Sequence, residues 1–167
     1  PEISNIASFL NSMGARIYGA GTSTIIIEGV KELGDGFVEV IPDRIETGTY
    51  IIAGAMLGDN LKIENIIPEH VEALTLKLKE MGVQMDIKSD HLIINKCDDL
   101  KHISIKTLGY PGFPTDLQPQ MGVTLATAEG TSIINESIWE SRFQYTEELN
   151  KMGAKISVIG KSVLIEG

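Results

Sequence analysis

The chain has 167 residues, enough to bury a real core in one ordinary domain or in pieces of two. Its formal net charge of -9, with no dense basic cluster anywhere, excludes a nucleic-acid footprint, so an anionic ligand needs locally placed cations. The longest apolar run, Tyr50 to Leu57, is far too short to span a bilayer, and the single cysteine, Cys97, excludes an internal disulfide and fits a reducing cytosol.

In chain order, Ile3, Ile6, Ala7, Leu10 and Met13 fall at helical spacing, with Gly14 as the C-cap. Ala15 to Tyr18 and Thr22 to Glu28 read as strands around the turn Gly19-Ala-Gly21, and Phe37 to Ile41 reads as a third. The chain opens at Pro1 with a helix and no methionine, which reads as an excised fragment.

Glu46 to Leu57 reads as a short, largely buried helix closed by Gly58-Asp-Asn60, and Leu61 to Ile66 as the next strand. From Glu69 a second helix presents Val71, Leu74, Leu78 and Met81 to a core, with Lys77, Lys79 and Glu80 outward and Gly82 ending it. Val83 to Ile87 and His91 to Asn95 form a hairpin across Lys88-Ser-Asp90, and Ile103 to Thr107 begins another round.

A shift of 71 residues lays Leu61-Lys-Ile-Glu-Asn65 on Ser132-Ile-Ile-Asn-Glu136, Met81-Gly82 on Met152-Gly153 and Ile94 on Ile165, without a gap. A shift of 68 lays Met13-Gly14 on Met81-Gly82. The pattern is a three-fold α/β (α+β) repeat: each unit runs strand, helix, strand, helix, strand, strand, and the first copy lacks its opening strand and helix. A unit this small has too little apolar area alone, so the helices are expected to pack unit against unit.

Leu108-Gly-Tyr-Pro-Gly-Phe-Pro-Thr-Asp-Leu-Gln-Pro-Gln120 joins a strand to a helix, and its glycines and prolines fix the backbone around one acid, Asp116. Thr115 or Asp116 reads as an N-cap, with Pro119 in the first turn; a carboxylate at a helix start can also face a cleft. The 71-residue shift lays Phe113-Pro-Thr-Asp116 over Pro42-Asp-Arg-Ile45, and Ile138-Trp-Glu-Ser-Arg142 over Ile67-Pro-Glu-His-Val71. Such departures are where a ligand site is sought, because packing alone would keep the copies alike. For Arg142 the plain alternative is a surface ion pair with Glu140 or Glu147, and for Trp139 simple packing. His70, His91 and His102 lack metal-ligand spacing and read as surface or cap residues; Cys97, beside Asp98 and Asp99 with no paired histidine motif, reads as structural or incidental.

Pro42-Asp-Arg-Ile-Glu-Thr-Gly48, Phe113-Pro-Thr-Asp-Leu-Gln118, Glu136-Ser-Ile-Trp-Glu-Ser-Arg-Phe143 and the Met-Gly endings together resemble the UDP-N-acetylglucosamine 1-carboxyvinyltransferase family of enolpyruvyl transferases. The resemblance covers the middle of that family's chain. It implies the inside-out α/β barrel fold shared with 5-enolpyruvylshikimate-3-phosphate synthase, in two lobes of three units. Residues 1–41 would end one lobe, and 42–167 would supply two units of the other. It further implies transfer of the enolpyruvyl group of phosphoenolpyruvate to the sugar 3-hydroxyl of UDP-N-acetylglucosamine, for peptidoglycan, in the cytoplasm and without a cofactor. Asp116 matches the family's sugar-side acid and proposed base, Ile138 a nucleotide-sugar contact, and Arg142 an arginine near the reaction centre. Cys97 does not match the family's loop cysteine; that loop, an N-terminal Lys-Asn pair and a late arginine of the family have no match in this sequence, and a cleft built between two lobes needs both, so the chain alone is expected to be inactive. A non-catalytic scaffold built from the same repeat and a shikimate-pathway relative are the alternatives, and self-association through exposed repeat faces is left open.

Overall fold

A computed structural model describes residues 1–167, which form two compact units, residues 1–42 and 43–167. In the first, helix α1 (Glu2–Ser12) is followed by the antiparallel strands β1 (Arg16–Tyr18) and β2 (Ile26–Glu28). The Asn11 side chain ties helix to strand: its Nδ2 donates to Ile17 O and its Oδ1 accepts the Ile17 N–H, each at 2.8 Å. Ala7 is the one buried hydrophobic residue of this unit, while Ile3, Ile6, Ile26 and Ile27 are all more than half exposed. Phe37 to Ile41 is not a strand. Phe37 and Val40 are 88% and 76% exposed, and an apolar run becomes a strand only where a neighbouring edge accepts its ladder hydrogen bonds.

The second unit holds two copies of the repeat. The earlier contains α2 (Arg44–Leu57), β3 (Leu61–Glu64), a 3-10 turn (Pro68–Val71) running into α3 (Glu72–Glu80), then β4 (Met85–Ile87) and β5 (His91–Ile94). Its sheet has the antiparallel order β3-β5-β4. The later copy contains β6 (Ser104–Lys106), a 3-10 turn (Thr115–Leu117) leading into α4 (Gln118–Leu125), β7 (Thr131–Asn135), α5 (Gln144–Lys151), β8 (Lys155–Ile159) and β9 (Ser162–Glu166). Here the order is β6-β7-β9-β8, and β6 and β7 run parallel because α4 carries the chain back between them.

The repeat is visible in the backbone. Gly14, Gly82 and Gly153, each closing a helix after Met, have φ of 98°, 102° and 101°, a left-handed conformation that favours glycine. Asn150 repeats the clamp of Asn11, holding Ile156 N and O at 2.9 Å.

The gapless alignment fails at one place. Residues 44–60 and 114–130 share one sequence of buried, intermediate and exposed positions, broken only at Tyr50 against Gln120, and this correspondence is a shift of 70. Strand pairing restores 71, since Leu61 faces Ile94 as Ser132 faces Ile165. The later copy therefore carries one added residue between helix and strand, and Asp116 overlies Glu46, not Ile45.

One core spans both copies, with the helices packed copy against copy as expected. Ile51, Leu74, Leu78, Leu117, Met121 and Leu125 belong to a single buried cluster. At Gly48, α2 lies close against the 3-10 turn that leads into α4: a Cβ there would stand 2.5 Å from Leu117 Cδ1. Full burial of a side chain such as Leu117 contributes roughly 1.5–3 kcal/mol, so this interface holds the later copy in place.

Candidate active site

The site grows from the carboxyl ends of β6 and β7. Their parallel pairing brings Thr107 beside the chain that leaves β7, with Thr107 N donating to Asn135 O at 3.0 Å. From there two arms diverge. One runs from Leu108 through the Pro-Gly turn to Asp116 and α4; the other runs from Glu136 to Arg142 and α5.

The first arm is tightly tied. Leu108 N donates to Phe113 O at 2.9 Å, Gly112 N to Gly109 O at 2.9 Å, and Phe113 is buried. A Cβ on Gly112 would lie 2.5 Å from Leu108 Cβ, so only glycine fits. Leu117 and Gln118 are both buried, whereas the side chain of Asp116 just before them, in the 3-10 turn that leads into α4, is half exposed.

Asp116 does not cap the helix. Neither the 3-10 turn nor α4 has a side-chain cap; Asp116 Oδ1 instead meets Arg142 Nη2 at 2.7 Å. This also answers the alternatives for Arg142, whose partner is Asp116 and neither Glu140 nor Glu147. The preference for an acid at a helix start is outweighed here by a guanidinium delivered from the other arm. A second nitrogen, Arg142 Nη1, donates to Thr115 Oγ1 at 3.3 Å.

Beneath the pair lies a residue that the sequence reading passed over. Glu136 is fully buried, and its carboxylate accepts five hydrogen bonds. Thr107 Oγ1, Ile138 N and Trp139 N donate to Oε1 at 2.8, 2.8 and 3.1 Å; Thr115 Oγ1 and Gln118 Nε2 donate to Oε2 at 2.8 and 2.5 Å. Burial pushes the Glu136 carboxyl up, but hydrogen bonds from Thr107, Ile138, Thr115 and Trp139 outweigh it and the net direction is down. The group is therefore a carboxylate at neutral pH. Ser137 locks the same junction, its N–H donating to Thr107 Oγ1 at 2.9 Å and its hydroxyl to Thr107 O.

Magnitudes separate the two acids. Asp116 and Arg142 are 49% and 33% exposed, and such a pair contributes roughly 0–1 kcal/mol to stability. Hydrogen bonds to a buried charge contribute roughly 1.5–3 kcal/mol each, so the order of the site resides in Glu136. Asp116 and Arg142 are left accessible, with hydrogen-bonding capacity free for a ligand. Ile138 joins the cluster through its main chain, and its side chain is 45% exposed. Trp139 is not packed: it is 56% exposed and, with Glu140, Ser141 and Arg142, lines a depression beside the pair.

The other polar residues lie elsewhere. His91 Nδ1 meets Asp90 Oδ1 at 2.7 Å, His102 Nδ1 meets Glu129 O at 3.1 Å, and His70 stands edge-on to Tyr110, whose ring also lies 5.7 Å from the Arg44 guanidinium carbon. Half-buried Cys97 donates its N–H to Ala55 O at 2.8 Å and lies outside the cluster. No three His, Cys, Asp or Glu side chains converge as a metal site requires, and no helix is long and apolar enough to cross a membrane.

The sequence pattern of EPSP synthase (3-phosphoshikimate 1-carboxyvinyltransferase) matches residues 1–167. The chain belongs to the EPSP synthase family. Within it, the chain is 51% identical to the UDP-N-acetylglucosamine 1-carboxyvinyltransferase of Clostridium botulinum over all of its length and 40% of the relative's. It is 49% identical to UDP-N-acetylglucosamine 1-carboxyvinyltransferase 2 of Bacillus subtilis, covering 39% of that protein. Its fold superposes on the crystal structure of the enolpyruvyl transferase NikO from Streptomyces tendae with a TM-score of 0.87 at 29% identity, over the whole chain and 40% of NikO. The mixed α/β repeat is thus that of the enolpyruvyl transferases, and the chain spans about two fifths of the length of these relatives.

Proposed function

We propose that these residues form the sugar-side part of a UDP-N-acetylglucosamine 1-carboxyvinyltransferase, with residues 1–41 ending one lobe and 42–167 supplying two units of the other. The observation that carries the reading is the Asp116–Arg142 pair, in which an accessible carboxylate and an accessible guanidinium from separate arms meet at 2.7 Å above a buried anchor. A scaffold module has no need to bring them together. Identity near 50% to transferases of this name favours UDP-N-acetylglucosamine over a shikimate-type acceptor.

In this reading the sugar 3-hydroxyl adds to C2 of phosphoenolpyruvate while C3 takes a proton. The tetrahedral adduct then loses that C3 proton and phosphate to leave the enolpyruvyl ether. Asp116 accepts the hydroxyl proton and binds the sugar, Ile138 contacts the nucleotide sugar, and Arg142 offsets negative charge near the reaction centre. The product feeds peptidoglycan synthesis, and the reaction takes place in the cytoplasm with no cofactor. The chain by itself supplies too few of the charged groups that this chemistry needs and is without turnover.

Phosphate release from phosphoenolpyruvate and UDP-N-acetylglucosamine tests the proposal. The full-length protein is expected to turn over and the 167-residue chain to stay at background. A full-length protein that releases no phosphate, or that prefers a shikimate acceptor, refutes the reading.

A further inference from the structure

We propose that Glu136 is a positioning residue for this transfer, holding the arms that carry Asp116 and Arg142 in register with each other through the acceptor capacity of a carboxylate. The inference rests on the transferase reading above. The two side chains are 26 residues apart and leave different strands, and the exposed pair between them is too weak to fix the geometry alone. Glu136 reaches all the segments involved. It takes Thr107 at the end of β6, Thr115 and Gln118 at the start of α4, and the main chain of Ile138 and Trp139 on the way to Arg142. Thr115 completes the link, since its hydroxyl donates to Glu136 Oε2 and accepts from Arg142 Nη1.

A glutamine at this position fills the same volume but has one acceptor oxygen. With that oxygen kept on Thr107, Ile138 and Trp139, its amide nitrogen faces Thr115 and Gln118. Gln118 can adapt, because its Oε1 is buried without a hydrogen-bond partner and takes the new N–H once the amide turns. Thr115 cannot adapt without cost to the site: accepting from residue 136 as well as from Arg142 uses both of its lone pairs and leaves its own O–H without the carboxylate it donated to, so the hydroxyl that links residue 136 to Arg142 must turn toward another acceptor. Glu136→Gln therefore separates packing from positioning.

The test uses the full-length protein. The Glu136→Gln variant keeps the volume of the side chain and is expected to fold, melting below the parent because the buried carboxylate accepts five hydrogen bonds. Its kcat should fall at least about tenfold, since misplacement costs orientation more than ground-state binding. Thr75→Val, a buried hydroxyl of α3 that donates to Glu72 O, serves as control and is expected to lose melting temperature while keeping kcat within about twofold. A crystal structure of Glu136→Gln is expected to show Asp116 and Arg142 out of hydrogen-bond reach. Preserved kcat, or a preserved Asp116–Arg142 contact, overturns the inference. If the parent shows no transferase activity, the functional reading fails and the crystallographic result still decides the positioning role.

Discussion

Thr107 Oγ1 donates to Glu136 Oε1 at 2.8 Å and accepts the Ser137 N–H at 2.9 Å, so one hydroxyl at the end of β6 serves both the buried carboxylate and the backbone beside it. Thr107 and Glu136 are both fully buried, so the carboxylate cannot turn to solvent if the hydroxyl is removed. Thr107→Val keeps the shape and takes away a charged hydrogen bond and a main-chain acceptor. Its expected cost is about 2 kcal/mol, with Thr107→Ser retaining most of the stability. Urea unfolding of the two variants checks this, and equal midpoints for Val and Ser would show that the hydroxyl is idle.

Tyr145 presents the opposite case. Its hydroxyl is buried with no hydrogen-bond partner, and its ring packs so closely on α4 that a Cβ on Gly122 would stand 2.7 Å from Tyr145 Cε2. Tyr145→Phe is therefore expected to be neutral or to stabilise by up to about 1 kcal/mol, while Gly122→Ala costs about 1–3 kcal/mol by overpacking. The pH dependence follows with a definite sign. Burial, and then the charge of Glu136, push the Tyr145 phenol well above its ordinary value, so the folded state keeps its proton where the unfolded chain releases it. Stability from this group is complete below the unfolded value near 10 and is lost as pH rises beyond it. Melting curves across the alkaline range should fall less steeply for Tyr145→Phe than for the parent. Parallel curves would refute the assignment.

The parts of this fold legible in the sequence are those written in local chemistry. Met-Gly after an apolar helical stripe marked all three helix ends, and Val71, Leu74, Leu78 and Met81 are buried as their spacing predicts. Phe37 to Ile41 misled because alternation reports a strand's sides and says nothing of whether an edge is present to receive it. The one-residue slip was hidden because Leu61 and Ser132 kept the gapless register of the strands on either side of the turn. Glu136 was missed for a related reason. At the end of Ile133-Ile134-Asn135 it reads as a solvated charge, and its donors Thr107, Thr115 and Gln118 are brought to it only by parallel pairing and the crossover helix. A signal did exist, since Asn65 lies opposite Glu136 in the very comparison that drew attention to Arg142.

Asp116 gives the sharpest test of the site. As a helix cap it would tolerate Asn and lose about 1 kcal/mol on change to Ala. The geometry removes that expectation, because its carboxylate makes no cap and its half-exposed pair with Arg142 contributes roughly 0–1 kcal/mol. Asp116→Asn and Asp116→Ala should therefore melt close to the parent and close to each other. Turnover should separate from stability. Asn keeps the shape and a carbonyl for Arg142 but cannot take a proton from the sugar 3-hydroxyl, and loss of a general base costs on the order of 100-fold to 10,000-fold in rate. Both variants of the full-length protein are expected to lose at least the lower of those factors in kcat, and binding of UDP-N-acetylglucosamine should weaken far less in Asn than in Ala. Rates and calorimetric titrations measured side by side decide the matter: unimpaired turnover in Asp116→Asn would end its assignment as the base and leave it a partner of Arg142 alone.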